Sequence, residues 1–265
     1  MASGGTDNSL YRLGDELVVR LPRADWARSQ PEREHRWLPH LAPALPIPIP
    51  EPVALGEPGA GYPCHWAIHR WLPGRSALDA RLERPEAEAR RLGEFVLALR
   101  AVDARGGPRA GPHNVGRGLP LAHRDGHVRD AVAKLGEDVD GAAVLAAWDR
   151  ALAAGTWDAP GVWVHGDIHA GNLLVEDGRV RAVIDFGTLG VGDPAVDLLV
   201  AWTLFDGPAR AAFRETVEAD DALWQRGRGW ALSMAIIGLP YYRDSNPVFV
   251  AQAWRMVEAV LSEPA

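Results

Sequence analysis

The segment from residue 164 to residue 187, VHGDIHAGNLLVEDGRVRAVIDFG, constrains the fold of this chain more than any other part. Two apolar runs flank Asp177-Gly178, a dipeptide that is strongly favoured in two-residue hairpin turns. The segment therefore predicts two antiparallel strands. Because a hairpin brings its ends together, Asn172 at the entrance and Asp185 at the exit are expected to be neighbours in space.

The loop before this hairpin, GDIHAGN, adds a further carboxylate, Asp167. Amide and carboxylate oxygens such as those of Asn172 and Asp185 suit Mg²⁺, which takes few protein ligands and fills its other positions with phosphate oxygens and water. Phosphoryl transfer needs such a metal together with a carboxylate that orients or deprotonates the attacking hydroxyl. The segment therefore predicts a phosphoryl-transfer site.

The predicted secondary structure changes once along the chain, from mainly strands to mainly helices. Residues 10–21 predict two strands around Gly14-Asp15, and residues 32–41 predict a helix. A proline at nearly every second position of residues 42–53 excludes helix and favours an extended connector, and residues 64–74 predict one more strand. From residue 85 onward helical spacing dominates, so we expect an N-terminal lobe of residues 1–72 and a C-terminal lobe of residues 73–265.

Two segments near the end of the chain carry strong helix-start signals. Residues 193–202, DPAVDLLVAW, and residues 246–261, NPVFVAQAWRMVEAVL, each open with an N-cap residue followed by proline. Both are predicted to be helices. With the strands of the first lobe, they place the chain in the α+β class.

Composition excludes several classes of protein. The formal net charge of −7 argues against general binding of nucleic acid and would attract a cationic small molecule. Cys64 is the only cysteine, so no disulfide within the chain is possible, and no apolar run approaches the length of a membrane span. The first residues lack the basic and apolar regions of a secretion signal, so a cytoplasmic location is expected.

The order of residues 165–167 (His-Gly-Asp), Asn172 and residues 185–187 (Asp-Phe-Gly) resembles the catalytic and metal loops of the aminoglycoside phosphotransferase family. Members of that family are relatives of the protein kinases that act on small molecules. The resemblance extends over nearly the whole chain and implies a two-lobed, protein kinase-like fold. Gly166, where protein kinases usually have arginine, favours the small-molecule branch.

The resemblance also implies roles for single residues. Asp167 would be the catalytic base, and Asn172 and Asp185 would hold Mg²⁺. His165 and Asp197 would support the catalytic loop rather than take part in the chemistry. A purely structural interpretation of the aspartates as a loop cap and a turn former is the competing one.

The first lobe would bind ATP or GTP. The glycine-rich residues Ser3, Gly4 and Gly5 could place backbone N–H groups against phosphates, although such a stretch alone is more often an ordinary turn. The resemblance also implies that the lobe lacks the strand that normally enters this loop, or that the sequence is truncated.

Arg20 stands where the family pattern has a phosphate-binding lysine. An arginine keeps the charge and can bind phosphate or carboxylate through two nitrogens, so we expect it to keep the role, with Glu34 as its partner and Glu32 as the second choice. The nucleotide base would lie on the connecting segment, at Arg70, Trp71 and Leu72.

The acceptor pocket would be formed by the C-terminal helices. Acids and aromatic residues there would suit a cationic, sugar-bearing molecule, but the competing interpretation places most of the tryptophans in the core and most of the acids on the surface. The candidates for direct contact are His169, Asp206, Trp230 and Tyr241, within a wider set comprising Trp202, Asp220, Asp221, Trp224, Tyr242 and Asp244.

The leading function is a small-molecule O-phosphotransferase that acts on an aminoglycoside or similar antibiotic-like acceptor. A kinase of a sugar, choline or amino alcohol remains open, as do macrolides and tuberactinomycin-type peptides. A protein kinase is disfavoured because no A-P-E segment follows Asp185, and a non-catalytic regulatory module is disfavoured because Asp167, Asn172 and Asp185 are all present.

Overall fold

A four-stranded antiparallel sheet with the strand order β1-β2-β4-β3 forms the first lobe of the protein, whose computed structural model describes residues 7–263. The strands are β1 (Asn8–Leu13), β2 (Leu17–Pro22), β3 (Pro52–Gly56) and β4 (Trp66–Arg70). The predicted hairpin around Gly14 is confirmed, since Leu13 pairs with Leu17 across the turn.

Helix α1 (Gln30–Leu41) packs on this sheet and carries buried side chains toward it, among them Glu34, Leu38 and Leu41. The connector after α1 differs from the prediction of an entirely extended segment. It opens with a 3-10 turn, Ala42–Ala44, and its end forms β3. Only the 3-10 turn departs from the prediction, and it is compatible with Pro43 because proline is tolerated in the first turn of a helix. The strand β3 is extended as predicted, and it begins at Pro52 on the edge of the sheet, where proline is also tolerated.

Seven helices between residues 85 and 261 build the larger lobe around a core that contains the fully buried rings of Trp148, Trp163, Trp230 and Phe213. The helices are α2 (Pro85–Ala101), α3 (Asp125–Leu135), α4 (Gly141–Ala153), α5 (Val200–Thr203), α6 (Gly207–Thr216), α7 (Asp221–Tyr242) and α8 (Pro247–Leu261). No helix within residues 7–263 combines the length and the apolar character that a bilayer crossing requires.

The helix predicted over residues 193–202 is confirmed, but most of it is not α-helical. Pro194–Leu199 forms a 3-10 helix in which every residue is buried, and only α5 is α-helical. Helix α7 lies so close that a Cβ on Gly227 would be 2.6 Å from the Leu198 Cβ. Tertiary packing on both sides therefore decides the local geometry of this segment.

The predicted hairpin of the 164–187 segment is confirmed as β7 (Leu173–Glu176) and β8 (Arg179–Val183), and β5 (Arg75–Ser76) pairs with β7 to complete a three-stranded sheet. Asp177 and Gly178 have φ of 50° and 66°, as a tight hairpin turn requires. At the open end, the Ile184 N–H donates to the Asn172 carbonyl (2.9 Å). This bond brings Asn172 beside Asp185. A two-stranded sheet of β6 (Val162–Val164) and β9 (Gly190–Gly192) lies alongside.

Candidate active site

A buried carboxylate, Asp197, anchors the loop between β6 and β7. Its two oxygens accept hydrogen bonds from the backbone N–H groups of His165 (2.9 Å) and Gly166 (2.7 Å). Burial raises the pKa of the Asp197 carboxyl, while the hydrogen bonds from these two amides oppose the rise. Asp197 therefore fixes the backbone of the loop from beneath and does not face the cleft.

The ring of His165 connects this loop to the exit of the hairpin. Its Nε2 lies 3.1 Å from the Ile184 carbonyl, and its Nδ1 accepts from the Asp167 N–H at 3.2 Å. Since Nδ1 accepts, the proton must be on Nε2 and the ring is neutral. Burial lowers the pKa of His165, which agrees with the neutral form. The ring thus sets the backbone position of Asp167.

Gly166 occupies a position that only glycine can fill. Its φ is +85°, and a Cβ there would lie 2.8 Å from the Arg117 Cβ and 2.9 Å from the Thr188 carbonyl oxygen. The space left by the missing side chain therefore admits Arg117 next to the catalytic loop.

The carboxylate of Asp167 lies among three nitrogen-bearing side chains. Asn172 Nδ2 donates to the Asp167 carbonyl (3.0 Å) and Oδ2 (3.3 Å), His169 Nε2 is 3.5 Å from Oδ2, and Arg117 Nη2 is 3.5 Å from Oδ1. Burial alone would raise the pKa of Asp167, but the charge and hydrogen bond of His169 and the charge of Arg117 outweigh it and hold the pKa below its ordinary value. Asp167 is therefore an ionised carboxylate.

Asn172 and Asp185 form the pair of oxygen donors that the hairpin was expected to bring together. Because Asn172 Nδ2 donates to Asp167, its Oδ1 is the atom left for a ligand. Asp185 has a left-handed φ of 65°, and its side chain is 38% exposed. No cluster of three acidic, His or Cys ligands occurs within residues 7–263. A two-ligand oxygen site of this kind fits Mg²⁺ bound together with phosphate oxygens.

Arg20 joins the sheet, α1 and the hairpin. Its Nη1 donates to both oxygens of Glu34 (3.1 and 3.0 Å), and its Nη2 lies 3.1 Å from Asp185 Oδ1. Burial alone would lower the pKa of Arg20, but the charges of Glu34 and Asp185 raise it above its ordinary value. Glu32, the second choice, is exposed and contacts His65 at 3.3 Å instead.

The connecting segment offers fewer free amides than the sequence suggests. The N–H of Arg70 donates to Glu51 (2.9 Å) and the N–H of Trp71 donates to Glu16 (2.7 Å). Within the part of the chain that the structure describes, the Leu72 amide is the only one of the three without a backbone partner. Ser3, Gly4 and Gly5 lie outside the described residues.

One of the four acceptor candidates lies beside Asp167. His169 is within 3.5 Å of Asp167, and its side chain is 27% exposed. Trp230, by contrast, is fully buried and belongs to the core, and Tyr241 is 78% exposed. These two residues therefore do not form an enclosed wall beside Asp167.

The structure does not bring Asp206 to Asp167. Asp206 follows α5, which contains Trp202. The Trp202 ring packs on that of Trp224, near the start of α7, with ring centroids 4.6 Å apart. Helix α7 is about 33 Å long at the usual rise per residue. Its other end carries Tyr242, whose pKa is raised first by burial and then by nearby charges that include Asp167. Asp206 is therefore at the far end of α7.

Two arginines beside Asp167 are absent from the sequence-based set of site residues. Arg117 lies in the turn between Gly116 and Gly118, which have φ of 70° and 84°. Arg124 donates from Nε to Ser233 Oγ (2.9 Å), and its guanidinium carbon is 5.2 Å from the centroid of the Trp230 ring. The flanking glycines of Arg117 are the only local signal, and they indicate a turn rather than a function.

Comparisons with known proteins agree with this geometry. Residues 2–230 match the phosphotransferase enzyme family, APH. A search of curated proteins found no match to the chain.

Among solved structures, the GDP and kanamycin complex of APH(2")-IIia is 16% identical, with a TM-score of 0.75, covering 98% of this chain and 92% of that one. The apoenzyme of macrolide 2'-phosphotransferase MphH from Brachybacterium faecium is 24% identical, with a TM-score of 0.62, covering 100% of this chain and 92% of that one. Both show the same two-lobed, protein kinase-like fold. Since the family match spans most of the sequence, this chain belongs to the phosphotransferase enzyme family.

Proposed function

We propose that this protein transfers the γ-phosphate of ATP or GTP to a hydroxyl group of a small molecule. The observation that carries the proposal is the ionised Asp167, hydrogen-bonded to Asn172, beside the oxygen pair of Asn172 and Asp185. These are the parts that phosphoryl transfer requires: a carboxylate for the nucleophile and oxygen ligands for a phosphate-bound cation.

Asp167 acts on the acceptor. Its carboxylate accepts the hydrogen of the hydroxyl, orients the oxygen toward the γ-phosphorus and takes the proton as the new P–O bond forms. The bond between the γ-phosphorus and the bridging oxygen breaks, and the nucleoside diphosphate leaves. The proton then passes from Asp167 to solvent.

Arg20 acts on the donor by binding phosphate oxygens, and Glu34 holds the guanidinium in place from behind. Asn172 Oδ1 and the carboxylate of Asp185 would hold Mg²⁺, which neutralises phosphate charge when bound. In this arrangement the described part of residues 1–72 binds the nucleotide, with the base near Leu72, and residues 73–265 bind the acceptor. A cytoplasmic location, where nucleotide is available, is part of the proposal.

The acceptor has two candidate classes. An aminoglycoside or similar antibiotic is supported by family membership and by solved relatives whose complexes contain kanamycin, gentamicin and streptomycin. A metabolite such as a sugar, choline or an amino alcohol is the alternative, and the two arginines beside Asp167 favour an acceptor without several positive charges. A non-catalytic nucleotide-binding module does not account for an ionised Asp167 beside the oxygen pair of Asn172 and Asp185.

The test is a transfer assay with the purified full chain, MgATP or MgGTP, and a panel of aminoglycosides, macrolides, sugars, choline and a generic protein. We expect nucleoside diphosphate release that depends on one small-molecule class, with a product heavier by one phosphate. Phosphorylation of the protein substrate alone, or release that no acceptor stimulates, would contradict the proposal.

A further inference from the structure

The cations beside Asp167 lack the partners that buried cations usually have. Arg117 is only 13% exposed, and its Nε and Nη1 are enclosed with no hydrogen-bond partner in the described part of the chain. Its nearest carboxylate oxygen, Asp167 Oδ1, is 3.5 Å from Nη2, and that oxygen also has no hydrogen-bond partner there. Enclosed charged donors without partners are costly and call for an explanation.

Arg124, at the end of the 3-10 turn Leu121–Arg124, is a second cation without a carboxylate partner in the described residues. Its Nε bonds the neutral hydroxyl of Ser233, and its guanidinium faces the Trp230 ring. Within residues 7–263 Arg124 forms no ion pair with a carboxylate, and Asp167 is the carboxylate whose charge acts on it. Burial, followed by repulsion from Arg117, lowers the pKa of Arg124 to about 9, and the charge of Asp167 opposes only part of this fall.

The fold holds both arginines in place. The Asn114 side chain donates to the carbonyls of Arg117 (2.9 Å) and Thr188 (3.3 Å), which ties the Arg117 turn to the segment after the metal loop. Gly166 leaves the space that Arg117 occupies, and Arg124 is fixed by its bond to α7 through Ser233. The guanidinium of Arg117 therefore lies 3.5 Å from Asp167, and that of Arg124 is held near enough for the charges of Arg117 and Asp167 to act on its pKa.

We propose that the acceptor carries an anionic oxygen group, a carboxylate or a phosphate, that binds Arg117 and Arg124 while its hydroxyl engages Asp167. This inference rests on the proposed function and names the substrate class of the same site. Guanidinium groups bind carboxylate and phosphate through charge-assisted hydrogen bonds. Such a group would bond Arg117 Nη2 and the terminal nitrogens of Arg124, which are not among the enclosed atoms, and its charge would compensate both cations.

The same charges disfavour a polycation. An ammonium group close to the reacting hydroxyl would face Arg117 and Arg124 in a site partly shielded from water, where repulsion between like charges is strong. The net charge of −7 can attract a cation to the protein surface, but it does not alter the charges next to Asp167. An acceptor with one hydroxyl beside an acidic group fits better than an aminoglycoside.

Four compounds with one sugar skeleton test the charge preference: glucose, glucosamine, glucuronate and glucose 6-phosphate. Binding is measured by calorimetry and transfer by nucleoside diphosphate release, both with saturating MgATP at constant ionic strength. We expect the two anionic sugars to bind about 10-fold or more tightly than glucosamine, as one charge-assisted pair provides. Whether glucuronate or glucose 6-phosphate is preferred distinguishes a carboxylate from a phosphate.

Arg124→Gln is the main variant, because Arg124 does not touch Asp167, and Arg117→Gln is the second. Each should reduce the preference for anionic over cationic sugar about 10-fold. The matched control is Arg255→Gln, an exposed arginine of α8 whose Nε bonds Ala251 in its own helix. The control should keep the wild-type preference. Unfolding temperatures of all three variants show whether each is folded.

Four results would each overturn the inference. The wild type could bind glucosamine more tightly than the anionic sugars, bind both kinds equally, or fail to bind either anionic sugar at its solubility limit. The fourth result is an undiminished preference for anionic sugar in Arg124→Gln. The proposed function is judged separately. If transfer to some hydroxyl compound occurs and depends on Asp167 while acidic groups give no advantage, the phosphotransferase stands and only the acceptor class is wrong. If MgATP is neither bound nor consumed, the proposed function itself fails.

Discussion

The cations on the two sides of the proposed site differ in their partners. On the donor side, Arg20 bonds both oxygens of Glu34 and also Asp185. On the acceptor side, Arg117 and Arg124 have no hydrogen-bonded carboxylate in the described residues. The donor side therefore keeps its cation paired before any ligand arrives. The acceptor side leaves its cations for the ligand to satisfy. Under the proposed function, nucleotide would compete with internal ion pairs, while the acceptor would gain hydrogen bonds that the described residues do not supply.

The two aspartates at the centre of the site give the largest expected effects and separate the two sides. Asp167→Asn keeps the shape of the side chain but cannot take a proton, so turnover should fall about 100-fold or more while MgATP affinity stays nearly unchanged. Asp185→Ala should abolish both metal-dependent nucleotide binding and turnover, because phosphate charge is then uncompensated. Calorimetry with MgATP and steady-state transfer rates distinguish the two patterns.

Asp177→Asn is the control for this pair, since Asp177 lies in the turn of the same hairpin at a φ of 50° that asparagine also adopts. It should leave affinity and turnover as they are. A near-normal rate for Asp167→Asn would remove Asp167 as the base, and a parallel loss of nucleotide affinity would show that the two sides are not independent.

Arg20 gives the next largest effect and tests the pairing on the donor side. Arg20→Lys keeps the charge but cannot bond two oxygens of Glu34 and reach Asp185 together, so MgATP affinity should fall about 10-fold. Arg20→Ala should lower affinity further and also destabilise the fold, because it leaves Glu34 buried without a partner.

Exposed Arg23 on the same lobe serves as the control, and Arg23→Ala should bind MgATP normally. Calorimetry gives the affinities, and chemical denaturation gives the free energy of unfolding. If Arg20→Lys and Arg20→Ala both bind MgATP as the wild type does, Arg20 is a structural residue of the lobe and has no part in phosphate binding.

His69, beneath the Arg20–Glu34 pair, gives the smallest effect, which appears as a pH dependence of stability. The side chain is buried 3.9 Å from Glu34 Oε2, and neither ring nitrogen has a hydrogen-bond partner in the described structure. Burial, the charge of Arg20 and that of His35 lower the pKa of His69 from 6.5 to about 3. The unfolded chain therefore binds a proton first as the pH falls, and the stability held above pH 6.5 is lost progressively down to about pH 3.

Between about pH 7 and about pH 5, His69 should account for a loss of about 2 kcal/mol in the free energy of unfolding. His69→Leu should remove that part of the pH dependence, whereas His127→Gln, on the exposed side of α3, should not change it. Urea denaturation at a series of pH values measures the difference. An identical pH dependence in His69→Leu would show that the ring is hydrated or paired in solution.

Much of the fold and the centre of the site follow from short stretches of sequence. Asp177-Gly178 sets the hairpin, and the hairpin in turn places Asn172 beside Asp185, since the backbone geometry of a tight turn is determined by the residues within it. The segment of residues 193–202 was less predictable. Its capping signal is real, since Asp193 accepts from the Ala195 N–H, but burial against α7 converts the following turns to a 3-10 helix.

The acceptor side shows where local patterns stop being informative. Asp206, Trp230 and Tyr241 have the residue types expected of a pocket, yet one lies at the far end of α7, one is in the core and one is exposed. Residue type gives a preference for surface or interior, but the position of a side chain relative to Asp167 depends on how α7 crosses the lobe.

By itself, the sequence determined the hairpin, the spacing of Asp167 from Asn172 and, through its resemblance to a family, the pairing of Arg20 with Glu34. Tertiary structure alone decided that Arg117 fills the space left by Gly166 and that Arg124 bonds Ser233 of α7 without a carboxylate partner in residues 7–263. The physical reason is the distance along the chain over which each effect acts. Turn and helix signals act over a few residues, whereas the pairing of a buried charge depends on all the segments that the fold packs around it.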